Sequence, residues 1–296
     1  MTNTTRRGRF APSPTGQLHM GSMVAAVGSY LNIRSQHGEW LLRMDDIDPP
    51  REEPGAAASI LESLEAHGLY WEGEVMYQSH RNEAYEAALE QLHKQGLSYY
   101  CRCTRKQIEQ AGNAGDYGPI YSGHCRDKSV GSDDAAIRIC TSSNTVITPD
   151  LIQGDYQQIL DQAIGDFVVR RRDKLYAYHL AVVVDDAEQD ITEIVRGLDL
   201  LDSTPRQQYL QQCLGLPTPV YAHLPIVLNQ QGQKLSKQNL APPLDSTRAS
   251  DNLYQALVFL KQNPPTNLAM ESPDAILEWG VKNWDMNRIS KTTSPD

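Results

Sequence analysis

The fold of this chain is decided by the stretch Arg9-Phe10-Ala11-Pro12-Ser13-Pro14-Thr15-Gly16-Gln17-Leu18-His19-Met20-Gly21-Ser22. Its first three residues can end a short strand, and its two prolines and Gly16 then force an extended, turning loop. From His19 onward, apolar residues recur at helical spacing. The pattern predicts a strand, a tight loop and a helix whose N-terminus favours phosphate groups.

Two residues at the start of this helix suit a ligand. Gly21 leaves the backbone bare in the first turn, so a flat or charged group can approach closely. His19 can donate a hydrogen bond to a phosphate oxygen. A lone His-x-Gly is more often a surface turn before an amphipathic helix, but the complete string changes that interpretation.

The complete string resembles the HIGH signature of class I aminoacyl-tRNA synthetases, in the variant of the glutamyl/glutaminyl branch. That variant opens with Arg-Phe-Ala-Pro-Ser-Pro-Thr-Gly, and His19-Met20-Gly21-Ser22 stands where H-I-G-H is expected. The resemblance implies an α/β fold, a Rossmann-like catalytic domain with an inserted zinc-containing α+β subdomain and a short helical C-terminal region. It implies ATP contacts from His19, Gly21 and Ser22, and glutamate contacts from Arg9, Phe10, Ala11, Pro12 and Ser13.

Composition is ordinary for a globular protein, with 296 residues and a formal charge of −10. The acidic balance weakens the case for a large RNA footprint, although local basic patches remain possible. Arg170-Arg171-Arg172 with Lys174, and Arg102 with Arg105 and Lys106, are either such patches or solvated faces. There is neither a membrane-length apolar run nor an N-terminal signal core, so we expect a cytoplasmic protein without disulfides among its five cysteines.

A second informative stretch is the predicted strand Glu39–Met44, which ends in Asp45, Asp46 and Asp48. Carboxylates at the carboxyl end of a buried parallel strand lie at the binding edge of an α/β sheet. The stretch is similar to the Arg-Ile-Glu-Asp string of glutamyl synthetases, in which the Glu holds the amino group of glutamate. Asp45 occupies that position with one methylene fewer, and Arg9 is expected to hold the opposite end of the substrate.

Three cysteines predict a metal site. Cys101 and Cys103 point the same way on an extended segment, and Cys125 follows after a loop long enough to close. Three thiolates define most of a tetrahedral zinc site, and either His124 or Tyr121 can supply the fourth ligand. The short glutamyl-Q-type members of the family show Cys-x-Cys…Tyr-x-x-x-Cys here, so the resemblance implies Tyr121 and one structural zinc ion per chain.

The apolar run Leu175–Val184 contains two polar residues, Tyr178 and His179. The predicted strand Ile191–Gly197 contains Arg196, which lies at a sheet edge. We interpret His179 as a buried histidine with satisfied hydrogen bonds. In the family, the Tyr at position 178 lines the glutamate pocket. The family Arg at position 196 takes the substrate's side-chain carboxylate, which selects glutamate over glutamine.

Two lysines three residues apart complete the family pattern. Lys234-Leu235-Ser236-Lys237-Gln238 is similar to the KMSKS loop, which closes over ATP and stabilises charge on the α-phosphate. We expect Lys237 to be the principal catalytic cation and Lys234 a secondary one, with Mg²⁺ on the ATP phosphates.

The resemblance therefore implies activation of L-glutamate to glutamyl-adenylate, followed by transfer to queuosine at the wobble position of tRNA(Asp). The remainder after Lys237 is short, whereas a full glutamyl-tRNA synthetase continues into an anticodon-reading domain. The alternatives are a minimal synthetase that charges a tRNA 3′ end and a non-catalytic nucleotide- or zinc-binding relative. We expect a monomer without a membrane partner.

Four segments are expected. Residues 1–98 form the first half of the catalytic domain, 99–185 an inserted zinc-binding, acceptor-like subdomain, 186–240 the second half with its lysine loop, and 241–296 a helical, stem-contact-like tail. Other predicted helices are Ala56–His67, Arg81–Gln95, Asp199–Leu214 (its α-helix beginning at Pro205), Leu253–Leu260 and Ala275–Lys282. Other predicted strands are Ala135–Cys140, Thr145–Ile147, Asp166–Val169 and Tyr221–Val227.

Overall fold

A computed structural model of the chain describes residues 5–111, 114–115, 117–228 and 242–291. The strands are β1 (Arg7–Phe10), β2 (Glu39–Met44), β3 (Met76–Tyr77), β4 (Ser98–Cys101), β5 (Ala114–Gly115), β6 (Gly118–Pro119), β7 (Ala136–Ile139), β8 (Thr145–Thr148), β9 (Tyr156–Ile159), β10 (Val168–Arg170), β11 (Glu193–Gly197) and β12 (Val220–Leu224). The helices are α1 (Met20–Arg34), α2 (Ala56–Ala66), α3 (Asn82–Lys94), α4 (Arg105–Ala111), α5 (Leu160–Ala163), α6 (Tyr178–Glu188), α7 (Thr204–Leu214), α8 (Ala249–Phe259) and α9 (Pro273–Asn283).

Parallel strands form the centre of the fold. β2 pairs with β1 on one side and β3 on the other, and β11 pairs with β12, all in parallel. The amide of Thr192, just before β11, donates to the carbonyl oxygen of Arg7 at 2.9 Å, so β11 lies beside β1. Helix α1 packs over β1, β2 and β11, as the crossover between parallel strands requires. This arrangement confirms the predicted α/β class.

The segment between β3 and β11 is built differently. β4, β7 and β10 form an antiparallel sheet, and β8 and β9 form an antiparallel pair. Helices α3, α6 and α7 pack together beside them and bury a second apolar core. The boundaries of the four sequence segments stay a proposed division of the chain.

Among the described residues, these layers are held together by two apolar cores, by the buried trio Ile191, Ile194 and Tyr221, and by one small cluster. The first core surrounds Trp40, whose ring stacks on Phe10 at 6.3 Å and whose Nε1 donates to Ser29 Oγ at 3.0 Å. The small cluster has four buried members, Tyr99, Cys101, Tyr121 and Cys125. So few apolar side chains supply little hydrophobic stabilisation, which is the usual condition for a metal staple.

Predicted elements match the structure closely where periodicity is strong. The strand Glu39–Met44 has the predicted bounds, and the helix predicted over Arg81–Gln95 is one residue shorter at each end. The strand predicted over Asp166–Val169 is shifted to Val168–Arg170. The strand predicted over Tyr221–Val227 ends at Leu224, because Pro225 cannot donate to a ladder. The apolar run Leu175–Val184 is extended up to Ala177 and becomes helix α6 at Tyr178.

Across the described ranges, we find no helix with the length and apolar content that crossing a bilayer demands.

Gly165 joins the small cluster to the antiparallel part of the fold through a backbone bridge with Tyr121. Gly165 has a φ of +74°, and a Cβ added there would collide with the backbone carbonyl of Tyr121. We expect Gly165→Ala to lower the free energy of unfolding several-fold more than Gly96→Ala, measured by urea denaturation. Gly96 has a φ of +70° with open space around it, so its substitution carries only the backbone penalty of about 1–2 kcal/mol. Equal losses in the two variants would contradict this packing.

Candidate active site

The loop between β1 and α1 ends in a histidine cap. His19 is the N-cap of α1, and its Nδ1 accepts a hydrogen bond from the Ser22 amide at 3.2 Å. This bond fixes the proton on Nε2, which makes Nε2 the donor toward a ligand. Gly21 lies between them in the first turn and is half-buried. The structure thus brings the three predicted ATP residues of this loop together.

The same loop is joined to the end of β2. The amide of Asp45 donates to the Pro12 carbonyl oxygen at 3.0 Å. Ala11 and Pro12 are half-buried and Ser13 is exposed. The Phe10 side chain is packed in the core against Trp40, so only its backbone is placed to meet a ligand.

A buried charge cluster, which we define as Arg9, Arg43, Asp45 and Asp186, lies behind this loop. Arg9 Nε donates to Asp186 Oδ1 at 3.1 Å, and Arg43 Nη1 donates to the same oxygen at 2.7 Å. Arg43 Nε donates to Asp45 Oδ1 at 2.8 Å. The cluster contains two positive and two negative side chains, which is how buried charge is tolerated.

The two carboxylates of this cluster differ in acidity. Burial raises the pKa of Asp45 above its usual value despite the neighbouring Arg43. Burial alone would also raise the pKa of Asp186, but Arg9 and Arg43 together hold it below its usual value. Asp186 is therefore the firmly ionised member that holds both guanidinium groups.

Arg196, at the end of β11, is surrounded by neutral acceptors. Its Nε donates to His223 Nε2 at 3.0 Å, and its Nη2 donates to Thr204 Oγ1 and Gln207 Oε1, each at 2.8 Å. Its Nη1 lies 3.4 Å from the hydroxyl oxygen of Tyr178. The structure therefore brings Tyr178 and Arg196 together, as two contacts of one site require.

No carboxylate of the described residues pairs directly with the Arg196 guanidinium. Arg196 is 5 % exposed, and within the described parts of the chain no carboxylate lies within 4.0 Å of it. A buried cation without a negative partner is unfavourable unless a ligand supplies the charge. The arrangement is therefore typical of a site for an anionic group.

His179 differs from its expected role. Its Nδ1 is buried and has no hydrogen-bond partner in the described chain, so the prediction of a satisfied histidine is wrong. The ring packs edge-on against Phe167 and Tyr178. Burial, with Arg206 and Arg196 nearby, lowers the pKa of His179 well below its usual value. The neutral ring therefore packs beside Tyr178 with its Nδ1 unpaired.

The three predicted metal cysteines lie together. The Sγ atoms of Cys101, Cys103 and Cys125 all lie within 4.8 Å of one another, and those of Cys103 and Cys125 are 3.5 Å apart. Zinc–sulfur bonds of about 2.3 Å in a tetrahedron require sulfur atoms about 3.8 Å apart. The thiol spacing therefore fits a single zinc ion.

Tyr121, and not His124, joins these thiols. Its hydroxyl oxygen lies 3.3 Å from Cys101 Sγ and 3.6 Å from Cys103 Sγ. Burial raises the pKa of the Tyr121 phenol, so only a strong cation would ionise it. The Arg138 guanidinium lies 4.0 Å over the ring and favours a negative phenolate. His124 is exposed and contacts Lys128 instead.

The basic stretches are largely paired with acids. Arg170 bonds Glu86 at 3.0 Å and Arg171 bonds Asp173 at 2.7 Å, while Arg105 bonds Glu109 at 3.1 Å. These pairs favour the solvated-face interpretation of both patches. The predicted catalytic lysines, Lys234 and Lys237, lie outside the described residues.

Several residues of these networks were not singled out from the sequence. Arg43, Asp150, Asp186 and His223 each make a buried ion pair or hydrogen bond to a residue distant in sequence. For two of these positions, the sequence contains a weak indication of a buried partner. Arg43 is a charged residue inside an otherwise buried strand, and Asp185-Asp186 follows the apolar run Leu175–Val184, so both predict buried partners.

Comparison with known proteins shows what this chain is similar to. A family model described as tRNA synthetases class I (E and Q), catalytic domain, matches residues 6–261. Relatives named glutamyl-Q tRNA(Asp) synthetase occur in Pseudomonas aeruginosa PAO1 (52% identity; 96% of this chain, 95% of the relative) and Escherichia coli O6:H1 (50%; 99% and 93%). A glutamate tRNA ligase from Elizabethkingia meningosepticum, solved in complex with its amino acid, superposes with a TM-score of 0.79. It is 25% identical, and the match covers 98% of this chain and 67% of that protein.

The buried charge cluster generates a stability prediction. Asp186→Asn leaves Arg9 and Arg43 without their shared counterion, and we expect the free energy of unfolding to fall by about 3–5 kcal/mol in urea denaturation. The control is Asp190→Asn, which removes an exposed carboxylate paired with Arg7 at 3.1 Å and should lower the free energy of unfolding by less than about 1 kcal/mol. Similar losses in both variants would mean that Asp186 does not hold the cluster.

Proposed function

Because the chain belongs to the class I tRNA synthetases of the glutamate and glutamine branch, we propose that it activates L-glutamate with ATP and transfers the glutamyl group to queuosine at the wobble position of tRNA(Asp). As a member of this family, it is a ligase. The finer acceptor assignment is supported by relatives at 50–52% identity that carry the glutamyl-Q name. ATP and tRNA as substrates place the reaction in the cytoplasm.

The observation that carries the choice of amino acid is the surroundings of Arg196. Among the described residues, its buried guanidinium has only neutral hydrogen-bond acceptors, and its Nη1 is directed toward Tyr178. A glutamate γ-carboxylate supplies the missing negative charge, whereas the neutral amide of glutamine does not. We assign Arg196 and Tyr178 to the substrate side chain.

The other end of glutamate is assigned to Arg9 and Asp45. We assign Arg9 to the α-carboxylate of glutamate and the Asp45 carboxylate to its ammonium group. Both lie in the buried charge cluster, which holds them in place before substrate arrives. Such preorganisation lowers the entropic barrier to reaction.

ATP is assigned to the start of α1 and the lysine loop. His19 Nε2 is assigned as donor to a phosphate oxygen, and the first turn at Gly21 and Ser22 is assigned to the phosphates. Lys237 is the proposed catalytic cation at the α-phosphate, with Lys234 in support. Mg²⁺ accompanies the phosphates as part of the substrate.

The α-carboxylate of glutamate attacks the α-phosphate in line, giving glutamyl-adenylate and pyrophosphate. A hydroxyl of the queuosine cyclopentenediol then attacks the glutamyl carbonyl carbon, forming the ester and releasing AMP. Positioning and charge stabilisation drive both steps, so the reaction requires no protein nucleophile.

Zinc is proposed as a structural ion. Cys101, Cys103, Tyr121 and Cys125 would hold it, and bound zinc would fix the small cluster that has little apolar core.

The functional test uses labelled glutamate, ATP and tRNA(Asp) with queuosine, followed by nuclease digestion. We expect label on the wobble nucleoside, no label on matched tRNA(Asp) with guanosine there, and a loss of adenylate formation of at least about 100-fold in Lys237→Ala. Label on the terminal adenosine would instead make this a minimal tRNA-charging synthetase. Absence of label and of glutamate-dependent pyrophosphate exchange would favour a binding protein.

The zinc assignment is tested by metal analysis of purified protein. We expect one zinc ion per chain and faster loss of zinc to EDTA in Tyr121→Phe, because the phenyl ring offers no ligand atom. His124→Ala is the matched control and should retain zinc like the unmodified protein. The assignment fails if His124→Ala loses zinc while Tyr121→Phe keeps it, or if no zinc is bound.

A further inference from the structure

A buried Asp–His pair lies behind Arg196. His223 on β12 directs Nδ1 at Asp150 Oδ2, 2.6 Å away, and both side chains are fully buried. Asp150 belongs to the turn after β8, in the inserted part of the chain. This turn meets β12 through a backbone bridge between Asp150 and Tyr221.

The surroundings of Asp150 fix the proton on His223. Asp150 Oδ1 accepts hydrogen bonds from the amides of Ile152 at 3.0 Å and Gln153 at 2.8 Å. A carboxylate that is bonded in this way is ionised and acts only as an acceptor. His223 Nδ1 must therefore carry a proton, and Nε2 of the neutral ring presents a lone pair.

That lone pair faces Arg196. His223 Nε2 lies 3.0 Å from Arg196 Nε, and a guanidinium can only donate. With Thr204 and Gln207 holding Nη2, His223 completes a fixed set of acceptors on one side of the guanidinium. The opposite side, Nη1, is then aimed toward Tyr178.

We propose that Asp150 and His223 are positioning residues for substrate selection, which set the acceptor tautomer that aims Arg196 at the γ-carboxylate of glutamate. The inference rests on the proposed function and deepens it. It links amino-acid selection on the catalytic sheet to a turn of the inserted segment. Neither residue is assigned a contact with the substrate.

Two substitutions at His223 separate its two nitrogens. His223→Asn keeps an N–H donor near the Nδ1 position but removes the acceptor for Arg196. His223→Gln places an amide oxygen near the Nε2 position, which restores that acceptor. In glutamate-dependent pyrophosphate exchange, we expect His223→Asn to raise KM for glutamate about 10- to 100-fold with KM for ATP unchanged, and His223→Gln to recover most of this loss.

A third variant tests the tautomer without touching Arg196 or His223. In Asp150→Asn, the amide oxygen stays with the backbone N–H groups, so the NH₂ group faces His223 and drives the proton to Nε2. The N–H groups of His223 Nε2 and Arg196 Nε then face each other with no acceptor between them. We expect the same selective rise in KM for glutamate. If His223→Asn does not fold, Asp150→Asn tests the positioning role in its place.

The outcomes separate this inference from the proposed function. If the unmodified protein shows no glutamate-dependent exchange, the proposed function fails. If it does exchange, an unchanged KM for glutamate in His223→Asn and Asp150→Asn overturns the positioning role. A fall in kcat with both KM values unchanged, and without recovery in His223→Gln, would show a merely structural role and also overturn it.

Discussion

The buried guanidinium of Arg43 lies between Asp45 and Asp186, and the catalytic half of the fold depends on that contact. Arg43 is fully buried, so water cannot compensate its charge. Asp186 reaches it from α6 and at the same time holds Arg9 on β1. One carboxylate thereby fixes the relative positions of β1, β2 and a helix that lies far along the chain. Loss of any one of these ion pairs leaves a buried charge without its partner, so the members of the network stabilise one another cooperatively.

Arg43 and Arg196 show two uses of the same side chain. The charge of Arg43 is compensated by two carboxylates of the protein, those of Asp45 and Asp186. Arg196 is held by a neutral histidine, a threonine and a glutamine, which fix its direction without cancelling its charge. The first arrangement stabilises the fold, and the second reserves a positive charge for an anion. Burial raises the pKa of Tyr221 to about 12, and this pKa is also lowered by Arg196 and raised by Asp186 of the buried charge cluster.

Local patterns in the sequence predict local structure well. The strand Glu39–Met44, the helix after His19 and the spacing of the cysteines all follow from residues close together in the chain. Pairings across long separations do not follow in this way. Arg43 meets Asp186 and His223 meets Asp150 only because strands and helices from distant segments come together. His179 shows a different error, because the sequence predicts a buried, hydrogen-bonded ring, whereas the ring is half-buried and its Nδ1 has no partner among the described residues. Sequence gives the residue types of a site, whereas the topology decides their partners.

The neutral acceptors around Arg196 have an evolutionary consequence. Replacing Arg196 by an uncharged residue strands no carboxylate, because none in the described chain depends on it for charge balance. The same replacement at Arg43 would leave two acids unpaired in the interior. A change of amino-acid preference at this pocket would therefore cost the fold hydrogen bonds from Arg196 to neutral acceptors, but it would leave no unpaired carboxylate in the interior.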